Sequence, residues 1–215
     1  MIKVQKFTFN PFQENTYVLY DESGECVIID PGCYESHERE TLSQFIQENN
    51  LKPVHLLNTH CHVDHVFGNY FVSQTYNLQL SCHRLDLPTL ALVPKSCQMY
   101  GIPGYQLSPE PTVFLEEGDV VEFGKSKLKV IFGPGHAPGH IAFYAEEESF
   151  VINGDILFKG SFGRYDLPGA SFEDLQKTIL DKMFMLPEHT VVYCGHGPET
   201  TIGQEKLTNP IRTGF

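Results

Sequence analysis

Hydrophobic and polar positions along the first third of the chain alternate in the way that extended segments do, with two helical segments inserted. β-Branched and aromatic runs predict a meander, and the turn residues from Asp21 to Gly24 favour a hairpin within it. Apolar residues at helical spacing predict two helices, and Ser36 is a plausible N-cap for the first of them. The predicted elements are strands Lys3–Phe9, Asn15–Tyr20, Glu25–Asp30 and Val54–Asn58, and helices Ser36–Asn49 and about Phe67–Tyr76.

A second group of strands and one more helix are predicted after residue 111. The strands are Thr112–Leu115, Asp119–Phe123, Leu128–Phe132, Ile141–Tyr144, Phe150–Asn153 and Thr190–Cys194. Ser171 begins a helix that Pro187 ends, and its apolar face is Phe172, Leu175, Ile179 and Met183. Strands in two groups, each with helices, predict an α/β domain of two sheets with helices outside rather than a doubly wound parallel sheet.

The segment at about 85–111 breaks this pattern. It holds prolines at 88, 94, 103, 109 and 111 and glycines at 101 and 104, which interrupt any hydrophobic period. The sequence therefore predicts an irregular excursion here, and excursions of this length are often functional lids. We expect it to form a wall of the substrate site, with Tyr100 and Tyr105 as candidate contacts.

Composition narrows the class of protein. The 215 residues are 41% hydrophobic, which is enough for a packed domain, and the net charge of −12 argues against a nucleic-acid partner. No apolar run approaches the roughly 20 residues of a membrane span. With no export signal visible, we expect a cytoplasmic protein without a membrane partner. The six cysteines show no CxxC spacing and are expected to be buried free thiols.

The predicted strand Val54–Asn58 runs directly into Thr59-His60-Cys61-His62-Val63-Asp64-His65. Three imidazoles and one carboxylate within six positions suit a divalent cation that takes nitrogen and oxygen ligands. This motif predicts a metal site at the end of the strand.

Further loops repeat the layout of an apolar strand, then glycine, then a ligand-type residue. Gly133-Pro134-Gly135-His136-Ala137-Pro138-Gly139-His140 follows one strand, Asn153-Gly154-Asp155 another, and Gly195-His196-Gly197 a third. Glycine permits tight turns and close backbone approach. Because loops at the same ends of neighbouring strands converge, we expect these residues to meet the first motif in space.

Taken in order, the motifs THCHVDH, PGHAPGH, NGD and CGHG resemble the metallo-β-lactamase superfamily, and the resemblance covers essentially the whole chain. The GHxPGH form, the segment 160–169 and the ending GHGPETT are most similar to short glyoxalase II-like hydrolases. The resemblance implies one domain over 1–215, an αββα sandwich of two mixed sheets flanked by helices, without the C-terminal helical domain of longer relatives.

The same resemblance implies two divalent metal ions. It places His60, His62 and His136 at the first ion, Asp64, His65 and His196 at the second, and Asp155 between them. Such ligands accept zinc, iron or manganese, and zinc is favoured. Asp30, in the Asp30-Pro31-Gly32 turn, is expected to hold a ligand loop. His140 is expected to orient a ligand or contact substrate, although direct metal binding stays open.

A hydroxide bridging two cations, as this ligand set implies, is a nucleophile at neutral pH, with Asp64 and Asp155 as the catalytic carboxylates. A thiolate leaves without a proton donor, which favours a thioester over an amide, and the resemblance implies a small anionic thioester such as S-D-lactoylglutathione. Alternatives are a mononuclear-iron persulfide dioxygenase-like oxidoreductase, or a hydrolase of another small ester or lactam. The oligomeric state stays open.

The segment 160–169 is expected to line the substrate site. Arg164 either contacts the substrate, as a basic residue does at this place in glyoxalase II enzymes, or pairs with Asp166. Tyr165 stands where a threonine is more usual in that family, so the shape of this wall differs.

Overall fold

The computed structural model describes residues 1–212. Its first half builds one mixed sheet whose strands lie in the order β1-β2-β3-β4-β5-β6. The first three strands are antiparallel neighbours, and the next three add in parallel. The elements are β1 (Lys3–Phe9), β2 (Glu14–Tyr20), β3 (Glu25–Ile29), α1 (Ser36–Glu48), β4 (Lys52–Leu57), α2 (Asn69–Tyr76), β5 (Leu80–Cys82), α3 (Leu87–Tyr100) and β6 (Val113–Phe114).

The second half builds the other mixed sheet and a small hairpin. Its elements are β7 (Val120–Phe123), β8 (Ser126–Phe132), β9 (Ile141–Ala145), β10 (Phe150–Gly154), β11 (Leu157–Phe158), β12 (Ser161–Phe162), α4 (Phe172–Asp181), β13 (Val191–Cys194), β14 (Thr200–Thr201) and α5 (Ile202–Thr208). The sheet order is β14-β13-β10-β9-β8-β7, with β10 and β13 parallel, while β11 pairs with β12.

Strands buried on both faces explain the layering. In β2, Tyr17 and Leu19 join a core that both sheets share, whereas Val18 between them packs with residues of α1 and α2. The second sheet likewise buries its outer face under α4 and α5. Because successive side chains of a strand point to opposite faces, each sheet carries two apolar surfaces. The predicted αββα sandwich of two mixed sheets is confirmed.

The prediction of an irregular segment at about 85–111 is wrong for α3. Pro88 lies in the first turn, where no backbone N–H is needed, and Gly101 ends the helix with a φ of 67°. Pro94 lies inside the helix and costs one hydrogen bond, but Val93 and Cys97 on the adjoining face are buried. Tertiary packing therefore outweighs the proline signal.

Smaller differences concern caps and short strands. The N-cap of α1 is Glu35 rather than Ser36, and its carboxylate and that of Glu38 form a reciprocal capping box. The predicted second helix begins at Asn69, two residues later than expected. Sequence pattern did not reveal β5, the β11–β12 hairpin, β14 or α5, since each is too short to show a period.

Two expectations from composition can be compared with the structure. All six cysteines are buried and unpaired within the described chain, which confirms the prediction of free thiols. Among residues 1–212, no helix has both the length and the apolar character that crossing a membrane requires.

Asp21 joins the β2–β3 turn of the first sheet to the β7–β8 turn of the second. Its carboxylate accepts hydrogen bonds from Ser23, in the turn between β2 and β3, and from Lys125 N and Ser126 Oγ, between β7 and β8. Burial by itself raises the pKa of a carboxyl, but these hydrogen bonds outweigh it and hold the pKa of Asp21 well below its usual range.

Replacing Asp21 with asparagine is expected to destabilise the protein by about 3 kcal/mol at pH 7. Because the folded pKa lies below the unfolded value of about 3.9, this contribution is present above pH 4 and disappears as the pH falls through the folded pKa. Urea unfolding of the wild type and the variant at pH 7 and below 4 measures it. A difference that stays constant with pH contradicts the argument, and the exposed Asp181→Asn is the control.

Candidate metal centre

The residues of the four motifs lie at one edge of the two sheets. The segment 60–65 follows β4, and Val63–His65 form one turn of 3-10 helix. His136 follows β8, Asp155 follows β10 and His196 follows β13. All of the side chains that the sequence places in the ligand set are buried except those of His62 and His196, which are partly exposed.

Two groups of three side chains bring ligand-type atoms within 4.8 Å of one another. The first is His60, His62 and His136, and the second is Asp64, His65 and His196. In the first group, His62 Nδ1 lies 2.8 Å from His136 Nε2. In the second, His196 Nε2 lies 3.1 Å from Asp64 Oδ2. Both groups match the sets expected from sequence.

Asp155 lies between the two groups. Its Oδ2 is 3.5 Å from His136 Nε2 and 3.5 Å from His196 Nε2, and its Oδ1 is 3.5 Å from His65 Nε2. One carboxylate thus reaches both groups, which is the position that a bridging ligand requires.

The two groups differ in charge. Burial together with the neighbouring imidazoles lowers the pKa of His60 well below its usual range, and burial beside His136 lowers the pKa of His62 to about 3. Burial lowers the pKa of His136 as well. The first group therefore consists of neutral imidazoles, whose nitrogen lone pairs are the form that binds a metal.

In the second group carboxylates dominate. Burial acts to lower the pKa of His196, but the charge and hydrogen bond of Asp155 outweigh it and raise that pKa to about 10. In turn, burial acts to raise the pKa of Asp155, and the charges of His65 and His196 hold it well below the usual range. Without a metal ion, protons on the imidazoles balance the negative charge of the carboxylates in this group. A metal ion would displace these protons.

Unpaired polar atoms show that these residues fit metal ions. His60 Nε2, His65 Nε2 and Asp155 Oδ1 are buried, and none has a hydrogen-bond partner among residues 1–212. Buried polar groups are normally satisfied, so such a cluster needs an explanation. Nitrogen and carboxylate oxygen are the ligands that zinc and its neighbours take.

The other ring nitrogens are held by partners outside the two groups. His136 Nδ1 donates to the Arg164 carbonyl at 2.8 Å, and His196 Nδ1 donates to the Phe12 carbonyl at 3.1 Å. His60 Nδ1 lies 3.1 Å from Thr59 Oγ1. Each contact turns the opposite nitrogen toward the centre, as outer partners of metal-binding histidines do.

Asp30 holds the loop that carries the ligands. Its carboxylate accepts from Thr59 N at 2.7 Å and Thr59 Oγ1 at 2.6 Å, and from His65 Nδ1 at 3.1 Å. Asp30, His60 and His65 also satisfy the spacing of a metal group. Because the Asp30 oxygens are already occupied by hydrogen bonds, the carboxylate orients His65 from behind.

The imidazole of His140 contacts the backbone of Asp155 and the ring of His60. Its Nε2 accepts a hydrogen bond from Asp155 N at 3.1 Å, and its ring stacks on His60 with centroids 4.6 Å apart. An Nε2 lone pair used in this way is not free for a metal ion, so His140 positions Asp155.

Asp86 is a positioning residue that no sequence motif revealed. Its buried carboxylate accepts hydrogen bonds from Cys61 N in one ligand loop, from Gly139 N in another and from Thr89 Oγ1 of α3. Its place before Leu87-Pro88 is a helix-start signal that could have revealed α3. Asp86 ties the loops of the first group to the helix.

Changing Asp86 to asparagine is expected to weaken metal binding by the first group roughly 10–100-fold. Cys61 N and Gly139 N donate to different oxygens of the carboxylate, so in either orientation the amide NH₂ would face one backbone N–H donor. Competition with a chromophoric chelator measures the affinity, and Asp181→Asn again serves as control. Unchanged affinity in a folded Asp86→Asn protein contradicts the assignment.

Asn15 supports the last ligand loop in a similar way. Its backbone N donates to Gly195 O at 2.7 Å, and its side chain donates to Cys194 O and Gly197 O. The start of β2 thereby fixes the loop that carries His196. Sequence offered no signal for this contact, which joins residues about 180 positions apart.

A cavity of about 440 Å³ lies above the two groups. Residues of α3 form one side, and residues of β11, β12 and the segment after them form the other. Tyr100 lines it, as expected. Tyr105 is not among the lining residues; its hydroxyl hydrogen-bonds Ser108 and its ring packs against Phe67.

The segment 160–169 contributes unequally to the cavity. Arg164 lines it, and its guanidinium pairs with Asp166 through bonds of 2.9 and 3.0 Å. Of the two predicted roles, pairing with Asp166 is the one that the structure contains. Tyr165 packs on Phe172 with ring centroids 4.9 Å apart and is not a lining residue.

An αββα sandwich with His and Asp metal groups at the common edge of its sheets defines a class of metallo-hydrolases. Residues 9–196 match the family model of the metallo-β-lactamase superfamily, and the chain belongs to that superfamily. It is 36% identical over 216 residues to a probable metallo-hydrolase, YqgX, of Bacillus subtilis, a match covering 100% of this chain and 99% of the relative.

Two further relatives are informative. Hydroxyacylglutathione hydrolase GloC of Haemophilus influenzae is 34% identical over 201 residues, or 93% of each chain. TTHA1623, solved in a di-iron-bound form, is 40% identical with a TM-score of 0.86, covering 96% of this chain and 99% of that one.

Proposed function

We propose that this protein is a dinuclear metal-dependent thioester hydrolase of the glyoxalase II type. The observation that carries the proposal is the position of Asp155, within 3.5 Å of imidazole nitrogens from both groups and at the floor of the cavity. GloC, named as a hydroxyacylglutathione hydrolase, supports the type of substrate.

In this proposal His60, His62 and His136 would hold one metal ion, Asp64, His65 and His196 would hold the other, and Asp155 would be a ligand to both. Zinc is the proposed metal, since it takes imidazole and carboxylate ligands without a redox role. Iron is the alternative, because TTHA1623 was solved in a di-iron-bound form. When bound, such ions lower the pKa of water from about 15.7 toward 7 and polarise a carbonyl oxygen.

The carboxylates of the chain place the attacking water. Asp64 and Asp155 both line the cavity, so their free oxygen lone pairs can accept its hydrogen bonds. His140 keeps the Asp155 backbone fixed from behind. These contacts cost no reorganisation during the reaction, because the side chains are buried and already oriented.

A thioester is favoured over an amide because the cavity, as the described residues form it, has no side chain suited to protonating an amine leaving group. Apart from the proposed ligands, the ionisable side chains of residues 1–212 that line it are Tyr100 and Arg164. Neither a guanidinium, which keeps its proton in proteins, nor a phenol is the carboxyl or imidazolium group that usually protonates a leaving group at neutral pH. A thiol with a pKa near 8.5 leaves as thiolate, whereas an amine needs protonation.

Metal analysis combined with a thioester assay tests the proposal. Purified protein is expected to contain two metal ions per chain, to lose hydrolysis of S-D-lactoylglutathione on chelation, and to regain it with two equivalents of zinc. Full activity after complete metal removal overturns the proposal. A single iron per chain with oxygen uptake on glutathione persulfide identifies the dioxygenase alternative instead.

A further inference from the structure

The walls of the cavity are apolar, in contrast to its floor. On one side, Leu92, Val93 and Met99 of α3 face it; on the other lie Phe158, Phe162, Leu167 and Pro168. The α3 positions 92, 96 and 99 recur at helical spacing and therefore share one face. The floor consists of the proposed metal ligands, so a substrate that reaches them lies between two hydrophobic surfaces.

Three of the α3 residues that line the cavity are in contact with water. Leu92 is 40% exposed, Tyr100 45% and Met99 71%, although the opposite face of α3 is packed into the core. A bound apolar group would remove this surface from water, at a gain of roughly fourfold in affinity for each methylene that is fully buried.

The cavity has few cationic side chains that could bind a negatively charged substrate group. Arg164 is the one lysine or arginine among residues 1–212 that lines the cavity, and its guanidinium is already paired with Asp166. Asp166 offsets the charge of this guanidinium and occupies its Nε–Nη2 edge, so a substrate carboxylate could use only the Nη1 side. The chain as a whole carries a charge of −12, which repels anions.

We propose that the acyl half of the substrate is an apolar chain held between α3 and the rings of Phe158 and Phe162. The thiol half, charged or not, lies at the cavity mouth. This inference rests on the proposed thioester hydrolysis, in which water adds its oxygen to the acyl carbon, the C–S bond breaks, and the carboxylate, the thiol and one proton are released.

A series of thioesters with one neutral leaving group, N-acetylcysteamine, tests the acyl preference. The acyl groups are acetyl, butanoyl, hexanoyl and octanoyl, with S-D-lactoylglutathione as the polar reference. We expect kcat/KM to rise roughly two- to fourfold per methylene until the walls are covered, and the hexanoyl ester to exceed the reference.

Variants locate the effect. The double change Leu92→Ser and Met99→Ser is expected to flatten the chain-length dependence, because it lowers kcat/KM for the hexanoyl ester more than for the acetyl ester. The matched control changes Met185→Ser and Leu207→Ser, which are 74% and 83% exposed and lie away from the cavity, and keeps the dependence.

The outcomes separate this inference from the function on which it rests. Hydrolysis with no dependence on chain length overturns the acyl inference and leaves the thioester function standing. A preference for S-D-lactoylglutathione that Arg164→Gln abolishes also overturns it, since recognition is then by charge. If the protein with both metals bound hydrolyses none of the thioesters, the proposed function itself is overturned.

Discussion

Replacing Asp155 with asparagine is expected to lower kcat/KM on the order of 10³-fold or more and to reduce metal content from two ions per chain to one. The side chain reaches nitrogens of both histidine groups, and an amide retains the shape but loses the charge that opposes His65 and His196. Thioester turnover and elemental analysis on the same preparation measure both effects.

The matched control is Asp181→Asn, which changes an exposed carboxylate at the end of α4. It is expected to keep wild-type activity and metal content. Circular dichroism distinguishes a lost site from a lost fold, and we expect the Asp155→Asn protein to retain the wild-type spectrum. Two bound ions and normal turnover in Asp155→Asn would contradict the bridging assignment.

A single methyl group added at Gly195 is expected to lower kcat/KM about 100-fold. A Cβ at this position would overlap Asp155 Oδ1 and press on His65 Cε1. The carboxylate can escape only by moving away from the groups that it joins, so the disturbance falls on the reacting geometry. Steady-state kinetics and metal titration of Gly195→Ala report it.

Gly118→Ala serves as the comparison for this prediction. Gly118 has a φ of 86° and no neighbour within 4 Å of an added Cβ, so the substitution costs about 1 kcal/mol of stability from backbone conformation alone. Its activity is expected to be unchanged. Equal activity in Gly195→Ala and Gly118→Ala would show that the Asp155 carboxylate tolerates displacement.

Local sequence indicated the candidate ligands because the loops that carry them share one layout, and the resemblance to the superfamily divided them into two groups. Each loop follows a buried strand and carries glycine beside a ligand-type side chain, as in the segments that contain His136, Asp155 and His196. Strand ends lie at sheet edges, so this layout by itself predicts that the loops converge. The structure brings the side chains of both predicted groups together.

The cavity walls were less accessible to sequence reasoning. Pro88 and Pro94 made the sequence of α3 look irregular. The helix forms because Val93 and Cys97 pack against residues distant in the chain, and local sequence does not show that packing. The partner of Arg164 stayed open for a related reason. Asp166 is only two residues away, but substrate contact was equally compatible with the sequence.

Sequence by itself predicted two sheets with helices outside and a metal site, since periodicity and motif spacing are local properties, and its resemblance to the superfamily supplied the αββα fold and the expected ligand set. Tertiary structure alone revealed Asp86 and Asn15 as supports of the ligand loops, and the character of the cavity walls. Asp86 shows the reason: its carboxylate joins Cys61, Gly139 and Thr89, and such a contact depends on how distant segments pack. The same packing leaves Leu92 and Met99 facing the cavity, and with them the preference for an apolar acyl chain that we propose.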